Sequence, residues 1–276
     1  MNRLEADLLY TDTHAHLSLC EQRIGRQKLF SLLDEYDELW RGQSADLPKP
    51  FIVDVGTEAG DLASRLEAFD RYGWLKFSAG IWPSQIALEH PDESLSRLKD
   101  DCGNARVAAV GECGLDYYHM AGSRDSQIRL FEKQIELASE RSLPLIVHSR
   151  NAFQDTLSVL KTSATNLRVI IHCFSYAPAE AEQFLSLGFY LSFAGNLSYR
   201  NASQQQDALR IVPDSRLLLE TDAPYLNPEP LRGKHASSAD IVRTYEIAAI
   251  LRNSTSEKLA RIVLQNAETI FGTMSF

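Results

Sequence analysis

The sequence predicts an α/β fold, a single (β/α)8 barrel of the TIM type. Eight short apolar, β-rich runs alternate with longer amphipathic stretches along the chain. This alternation indicates a parallel sheet covered by helices, and eight strands are the number that closes a barrel. The chain has 276 residues, and one such barrel uses about 250. We therefore expect one domain over residues 1–276 with no linker.

The candidate strands are short runs rich in Leu, Ile, Val and Phe, each followed by a longer segment with charged residues at helical spacing. In chain order they are Leu8–Thr13, Phe51–Val55, Lys76–Ile81, Val107–Glu112, Leu145–His148, Val169–His172, Phe189–Phe193 and Leu217–Asp222.

Helical patterns follow the strands, for example over Glu58–Arg71, Ser123–Arg141 and Ala177–Ser186. We expect Gly188 to end the third of these helices, because glycine adopts the left-handed backbone found after many helices. The segment Thr255-Ser256-Glu257 predicts a last helix that runs to about Phe271, with Ser254 or Thr255 as its N-cap.

Composition is typical of a water-soluble globular domain, with 44% hydrophobic and 24% charged residues. The segment Met1–Asp7 is charged and has no apolar centre, so we expect no signal peptide. No apolar run approaches the roughly 18 residues that a membrane span needs. The four cysteines have no CxxC spacing, which favours reduced thiols and a cytoplasmic location.

The formal net charge of −9 argues against broad electrostatic adhesion to nucleic acid, which usually needs a basic face. It does not exclude a phosphate-bearing substrate. Bound divalent cations are often the largest local charges in a site and reverse its sign.

Ionisable residues collect at the carboxyl ends of the candidate strands. His14 and His16 lie two residues apart, so they share one face if the first run is a strand. Later strands end at Glu112, His148, His172 and Asp222. The carboxyl ends of barrel strands meet at one rim. Six nitrogen and oxygen ligands at one rim suit two divalent cations bridged by a carboxylate such as Glu112.

Each of these residues also has a structural interpretation. A lone histidine at a strand end is often hydrogen-bonded within the fold, Glu112 lies beside glycine in a turn-like sequence, and Asp222 is a possible N-cap. The coincidence favours the metal site, because four of the seven histidines fall at the same end of predicted strands. Asp12 and Glu220 lie two residues before His14 and Asp222, where they are placed to orient ligand imidazoles.

The chain resembles the TatD family of metal-dependent deoxyribonucleases, which belong to the amidohydrolase-type barrels. The matching segments run almost from end to end: Thr11-Asp12-Thr13-His14-Ala15-His16-Leu17, Val110-Gly111-Glu112-Cys113-Gly114-Leu115-Asp116-Tyr117, Pro144–Arg150, Ile171–Ser175, Leu218–Leu226, Arg232-Gly233-Lys234 and Asn266–Gly272.

The resemblance implies that two divalent cations, Zn²⁺, Mg²⁺ or Mn²⁺, are held by His14, His16, Glu112, His148, His172 and Asp222. It implies hydrolysis of phosphodiester bonds by a metal-bridged hydroxide, often as 3′-to-5′ trimming of DNA. We assign catalytic roles to Asp222, which binds one cation and orients or deprotonates the nucleophile, and to the bridging Glu112. DNA ends or single strands are the expected substrate, with no membrane and no obligate protein partner.

The chain departs from the family pattern at the third strand, where Gly80-Ile81-Trp82-Pro83 replaces the usual Gly-x-His-Pro. Trp82 cannot bind metal or accept a proton; it either stacks on a base or packs over the rim. Arg150 and Arg232 are candidate phosphate contacts, with surface solvation as the alternative.

Two other functions stay open at this point. One is hydrolysis of a small-molecule ester, amide or lactone by the same cations, although many such barrels carry a bridging lysine at the fourth strand, where this chain has Glu112. The other is a scaffold protein that kept the fold with little activity. Trp82 in place of the usual histidine is the feature that leaves this alternative open.

Overall fold

Eight parallel strands hydrogen-bond in chain order, from β1 to β8, in a computed structural model that describes residues 9–44 and 49–273. Contacts after the two end strands close the barrel: the backbone N–H of Asp222 donates to His14 O at 2.9 Å, and that of His16 donates to Ala223 O at 2.8 Å. The strands are β1 Asp12–Ala15, β2 Ile52–Asp54, β3 Leu75–Ala79, β4 Val107–Asp116, β5 Leu145–Arg150, β6 Val169–Ile171, β7 Tyr190–Phe193 and β8 Leu217–Leu219.

Helices cover the outside of the barrel. Within the described ranges they are α1 Leu17–Ile24, α2 Arg26–Gly42, α3 Leu62–Phe69, α4 Gln85–Glu89, α5 Pro91–Asp101, α6 Arg124–Arg141, α7 Phe153–Ser163, α8 Pro178–Ser186, α9 Ser203–Ile211, α10 Ile241–Leu251 and α11 Ser256–Phe271. No helix in that part of the chain has the length and apolar character to cross a bilayer.

The strands are apolar because they are covered on both sides. Val169-Ile170-Ile171 of β6 and Leu217-Leu218-Leu219 of β8 are buried throughout, as expected for parallel strands between a barrel interior and a layer of helices. The apolar core is continuous around the barrel, so the polar residues of the rim are held on a rigid support.

All eight predicted strands are present in the predicted order, and the predicted (β/α)8 barrel of the TIM type is confirmed. The first strand differs most from its expected bounds. It begins at Asp12, four residues after the predicted start, and Leu8 lies outside the described residues. The last helix agrees closely: Thr255 is its N-cap and accepts a hydrogen bond from the N–H of Lys258.

Strand β4 does not stop at Glu112 as predicted but continues to Asp116. Its register with β5 shifts between Val110 and Cys113, and a bulge of this kind re-aims the side chains beside it. Gly111 (φ +140°) and Gly114 (φ +136°) allow this path. A Cβ at Gly114 would overlap the carbonyl group of His148 on β5.

Strand β8 is shorter than predicted. It ends at Leu219, so Glu220 and Asp222 lie in the segment after the strand. Asp222 has a left-handed backbone (φ +54°), which is unusual for a residue with a side chain. The prediction that Glu220 and Asp222 share a face through strand alternation is therefore wrong. The left-handed turn at Asp222 sets the position of its carboxylate instead.

A buried ion pair supports the rim at the end of β2. The Arg65 guanidinium on α3 donates to Asp54 Oδ2 at 3.1 Å and to Ser78 O at 2.6 Å. Asp54 Oδ1 in turn accepts from the backbone N–H of Leu17 at 2.9 Å. This network fixes the start of α1, directly after His16.

We predict that Arg65→Ala lowers the free energy of unfolding by about 3–5 kcal/mol, because it leaves the Asp54 carboxylate buried without its charge partner. Chemical denaturation measures the change. Arg97→Ala is the matched control: Arg97 pairs with Glu93, both side chains are more than 60% exposed, and its removal should cost less than about 1 kcal/mol. Equal effects of the two substitutions would contradict the structural role of Arg65.

Candidate metal centre

The six predicted ligand residues lie together at the carboxyl-terminal rim of the barrel. His14 belongs to β1, Glu112 to β4 and His148 to β5. His16, His172 and Asp222 follow β1, β6 and β8 directly or within three residues. Their donor atoms form two groups, and each group includes one oxygen of the Glu112 carboxylate.

The first group surrounds Glu112 Oε2. His14 Nε2 lies 3.3 Å and His16 Nε2 lies 3.5 Å from this oxygen. The two imidazole nitrogens are 3.2 Å apart. Asp222 Oδ1 completes the group at 3.8 Å from His14 Nε2 and 3.6 Å from His16 Nε2.

The second group surrounds Glu112 Oε1. His148 Nδ1 lies 2.9 Å and His172 Nε2 lies 3.1 Å from this oxygen. These two nitrogens are 3.2 Å apart. Glu112 thus has two imidazole nitrogens beside each of its oxygens.

The donor atoms fit divalent cations in both spacing and chemistry. Nitrogen and oxygen ligands bound about 2.0–2.2 Å from one tetrahedral ion lie about 3.3–3.6 Å from one another. The separations between donor atoms within the two groups, 2.9–3.8 Å, are close to this range. Imidazole and carboxylate ligands suit Zn²⁺, Mn²⁺ and Fe²⁺, and Mg²⁺ with additional water.

Glu112 carries a buried negative charge that its imidazole neighbours stabilise. Burial raises the pKa of Glu112, but the charge of His172 and hydrogen bonds from His14 and His148 hold it well below its usual range. Burial lowers the pKa of His16, yet the Asp222 hydrogen bond and the Glu112 charge raise it to about 9. The carboxylates therefore attract cations, and a metal ion has to displace protons from the imidazoles to bind.

Outer partners orient three of the four imidazoles through their second nitrogen, as is usual for metal-binding histidines. His16 Nδ1 donates to Val55 O at 3.0 Å. Glu220 lies beside a ligand imidazole as expected, but the contact is an ion pair without a hydrogen bond: His172 Nδ1 is 3.5 Å from Glu220 Oε1, and this oxygen accepts from the backbone N–H of Cys173.

The expectation that Asp12 orients a ligand imidazole is wrong. Its carboxylate accepts from the backbone N–H of His14 at 3.3 Å, and from the backbone N–H and hydroxyl of Thr221 at 2.9 and 2.7 Å. Asp12 is buried because it joins the backbone of β1 to the segment after β8, next to Asp222.

The third outer partner, Asp116, was missed by the sequence reasoning. It is 1% exposed, and its Oδ2 accepts from His148 Nε2 at 3.0 Å and from His119 Nδ1 at 2.9 Å. Its Oδ1 accepts from the backbone N–H groups of Tyr118 and His119. The signal was available, because Glu112, Gly114 and Asp116 alternate along one strand and share a face.

The predicted substrate contacts surround this centre. Trp82 is half-buried, with its ring 6.1 Å from that of His148, so it packs against the rim at the second donor group. The Arg150 guanidinium lies 4.2 Å from the ring centre of Tyr118, and that of Arg232 lies 4.3 Å from the ring centre of Tyr199. Arg150 and Arg232 are both exposed.

The chain is similar to known metal-dependent hydrolases. The sequence model of the family described as "TatD related DNase" matches residues 11–272. The chain is 32% identical to the uncharacterized metal-dependent hydrolase YabD of Bacillus subtilis, over 94% of this chain and 98% of that protein. It is 39% identical to the uncharacterized metal-dependent hydrolase YcfH of Escherichia coli K12, over 71% of this chain and 73% of that protein.

Its structure is similar to the crystal structure of YjjV, a TatD homologue from Escherichia coli K12. The TM-score is 0.80 at 28% sequence identity, and the match covers 96% of this chain and 98% of that chain.

We predict that Asp116→Asn weakens metal binding by about 10–100-fold, the usual cost of removing an outer partner of a ligand histidine. An amide offers one oxygen, which cannot serve both the imidazoles at Oδ2 and the backbone donors at Oδ1. Competition with a chromogenic chelator measures Zn²⁺ affinity.

Asp155→Asn is the control, because Asp155 accepts a hydrogen bond from the Tyr117 hydroxyl at 2.7 Å and belongs to neither donor group. Its metal affinity should stay within a few-fold of the unchanged protein. Undiminished Zn²⁺ affinity in the Asp116→Asn protein would show that the His148 contact does not support the centre.

Proposed function

Since the chain belongs to the TatD-related DNase family of metal-dependent hydrolases, we propose that it hydrolyses phosphodiester bonds in DNA. The two donor groups around Glu112 would hold the two divalent cations that this reaction needs. The observation that carries this proposal is the Glu112 carboxylate, with two imidazole nitrogens within 3.5 Å of each oxygen.

When bound, such cations lower the pKa of water and neutralise charge on phosphoryl oxygens. The residues of the chain supply the remaining requirements. Glu112 fixes the separation of the two donor groups. His14 and His16 hold one side of the centre, and His148 and His172 hold the other.

Asp222 is the residue placed to accept the proton of the attacking water. Burial raises its pKa, but the hydrogen bond with His16 and the charges of His172 and His14 lower it below the usual value, so the carboxylate is ionised. The water oxygen forms a bond to phosphorus, the ester P–O bond breaks, and the departing oxygen takes a proton from solvent. A base within reach of the nucleophile typically contributes about 10²–10⁴-fold to the rate.

The expected substrate is a DNA end or a single strand. Arg150 and Arg232 offer guanidinium groups for backbone phosphates, and the half-buried ring of Trp82 offers a stacking surface for an unpaired base. The net charge of −9 argues against sliding along duplex DNA. We further propose that the protein acts in the cytoplasm, where its four free thiols stay reduced, with neither a membrane nor an obligate protein partner.

A substrate screen tests this proposal. Labelled single-stranded, duplex and recessed-end DNA, matched RNA, and chromogenic esters, amides and lactones are incubated with Mg²⁺, Mn²⁺ or Zn²⁺, with and without chelator. We expect metal-dependent shortening of DNA, fastest on single strands or ends. Turnover of a small ester or lactone with no cleavage of DNA would instead favour the small-molecule hydrolase.

We predict that Asp222→Asn lowers kcat on DNA by about 10²-fold or more, because the amide cannot accept the proton of the nucleophile. Circular dichroism should show a folded barrel, since Asp222 lies after β8 and not within it. Asp207→Asn, at an exposed residue of α9 that pairs with Arg210, is the control. Cleavage by the purified Asp222→Asn protein at the unchanged rate would remove Asp222 from this role.

A further inference from the structure

A basic cavity lies beside the metal centre. It has a volume of about 430 Å³ and opens between the α1–α2 corner and the segment that follows β8. Arg23, Lys28, Lys234 and His235 line it, together with Asp240. None of these residues is among the metal ligands, and the sequence pattern alone did not point to Arg23 or Lys28.

The positive charge of this cavity is not neutralised by the protein. Within residues 9–44 and 49–273, Arg23, Lys28 and Lys234 make no ion pair, whereas Arg26 at the same corner pairs with Glu21 at 2.7 Å. Asp240 Oδ2 accepts from the backbone N–H and the hydroxyl of Ser237, so the lining sets three basic side chains against one carboxylate. In a chain of net charge −9, three unpaired cations around one cavity form a local anion-attracting surface.

Helix α1 connects the cavity to the metal centre. Its first residue follows the ligand His16, and Arg23 lies in its last turn. Seven residues of helix span about 10 Å. Tyr225 follows the ligand Asp222 by three residues, and its ring is 6.2 Å from that of His16.

We propose that this cavity binds the backbone phosphates of the substrate strand on one side of the scissile bond. A stacked strand rises about 3.4 Å per nucleotide, so 10 Å corresponds to about three nucleotides. The ligand is a phosphodiester polyanion long enough to reach both sites. This inference rests on the proposed nuclease function and adds a length requirement to it.

The chemistry of the lining fits this ligand. Arg23 offers a planar fork for a phosphate, and Lys28 and Lys234 add mobile point charges that follow a flexible backbone. No base-specific contact is needed, so the cavity supports binding of different sequences. A mononucleotide bound at the metal centre does not reach the cavity.

The first test measures binding without cleavage. Metal-free protein in chelator is titrated with labelled single-stranded octanucleotide at several salt concentrations, and the triple variant Arg23→Gln/Lys28→Gln/Lys234→Gln is compared with the unchanged protein. For a single strand, each phosphate that a cation neutralises contributes about 0.7 to the slope of log K against log[salt]. Removal of three such cations should therefore make the slope shallower by about 2.

The matched control is Arg141→Gln/Lys99→Gln/Lys161→Gln, which removes the same charges from the carboxyl ends of α6, α5 and α7. These helix ends lie at the opposite end of the barrel from the rim. We expect the control to keep the slope of the unchanged protein. Equal slopes for the two triple variants would overturn the proposal.

The second test uses substrate length. With the proper cation bound, the ratio of kcat/KM for an octanucleotide to that for a dinucleotide should fall about 10-fold in the cavity variant. A ratio equal to that of the unchanged protein would show that the strand does not enter the cavity.

Two outcomes separate this inference from the nuclease proposal. One outcome is that the protein cleaves no DNA, but the slope for octanucleotide binding is shallower in the cavity variant as expected. This result would support phosphate binding in the cavity and contradict the nuclease function. If inorganic phosphate or a mononucleotide displaces the octanucleotide at equal phosphate concentration, the cavity is a site for small anions and the strand proposal fails.

Discussion

The organisation of the site depends on one buried carboxylate shared between two pairs of imidazoles. Glu112 is almost fully buried, and its charge is expensive to hold away from water unless it is paired. Four imidazoles on three other parts of the rim provide that pairing, and each oxygen of the carboxylate serves a separate donor group. The barrel makes this possible because it brings strand ends that are distant in sequence to one edge of the molecule.

The sequence predicted the barrel and the meeting of the six candidate ligand residues at its rim because both follow from simple periodicities. Apolar runs alternate with amphipathic stretches, and the donors fall where those runs end. It failed where the backbone leaves regular strand geometry. The bulge in β4 that turns Glu112 into the rim, and the left-handed backbone of Asp222 after a shortened β8, depend on tertiary packing that local preferences do not encode. Tertiary packing also explains Asp12. It shares a face with His14, but its carboxylate accepts hydrogen bonds from the backbone of His14 and from Thr221.

The outer contacts make the two sides of the rim different. Trp82 packs between His148 and His119. Asp116 connects the same two histidines through one oxygen. The side of the rim beside His148 therefore carries an aromatic ring and a hydrogen-bonded carboxylate. The side beside His16 faces the cavity that Arg23, Lys28 and Lys234 line. Under the proposed function, a substrate strand would have a stacking surface on one side and positive charge on the other.

Anomalous diffraction from crystals grown with Mn²⁺ tests the central claim most directly, because it locates cations independently of activity. The account predicts two peaks about 3.5–4 Å apart, one beside each oxygen of Glu112, with His14 and His16 near one peak and His148 and His172 near the other. A single peak distant from Glu112, or no peak at the rim at saturating Mn²⁺, would contradict it.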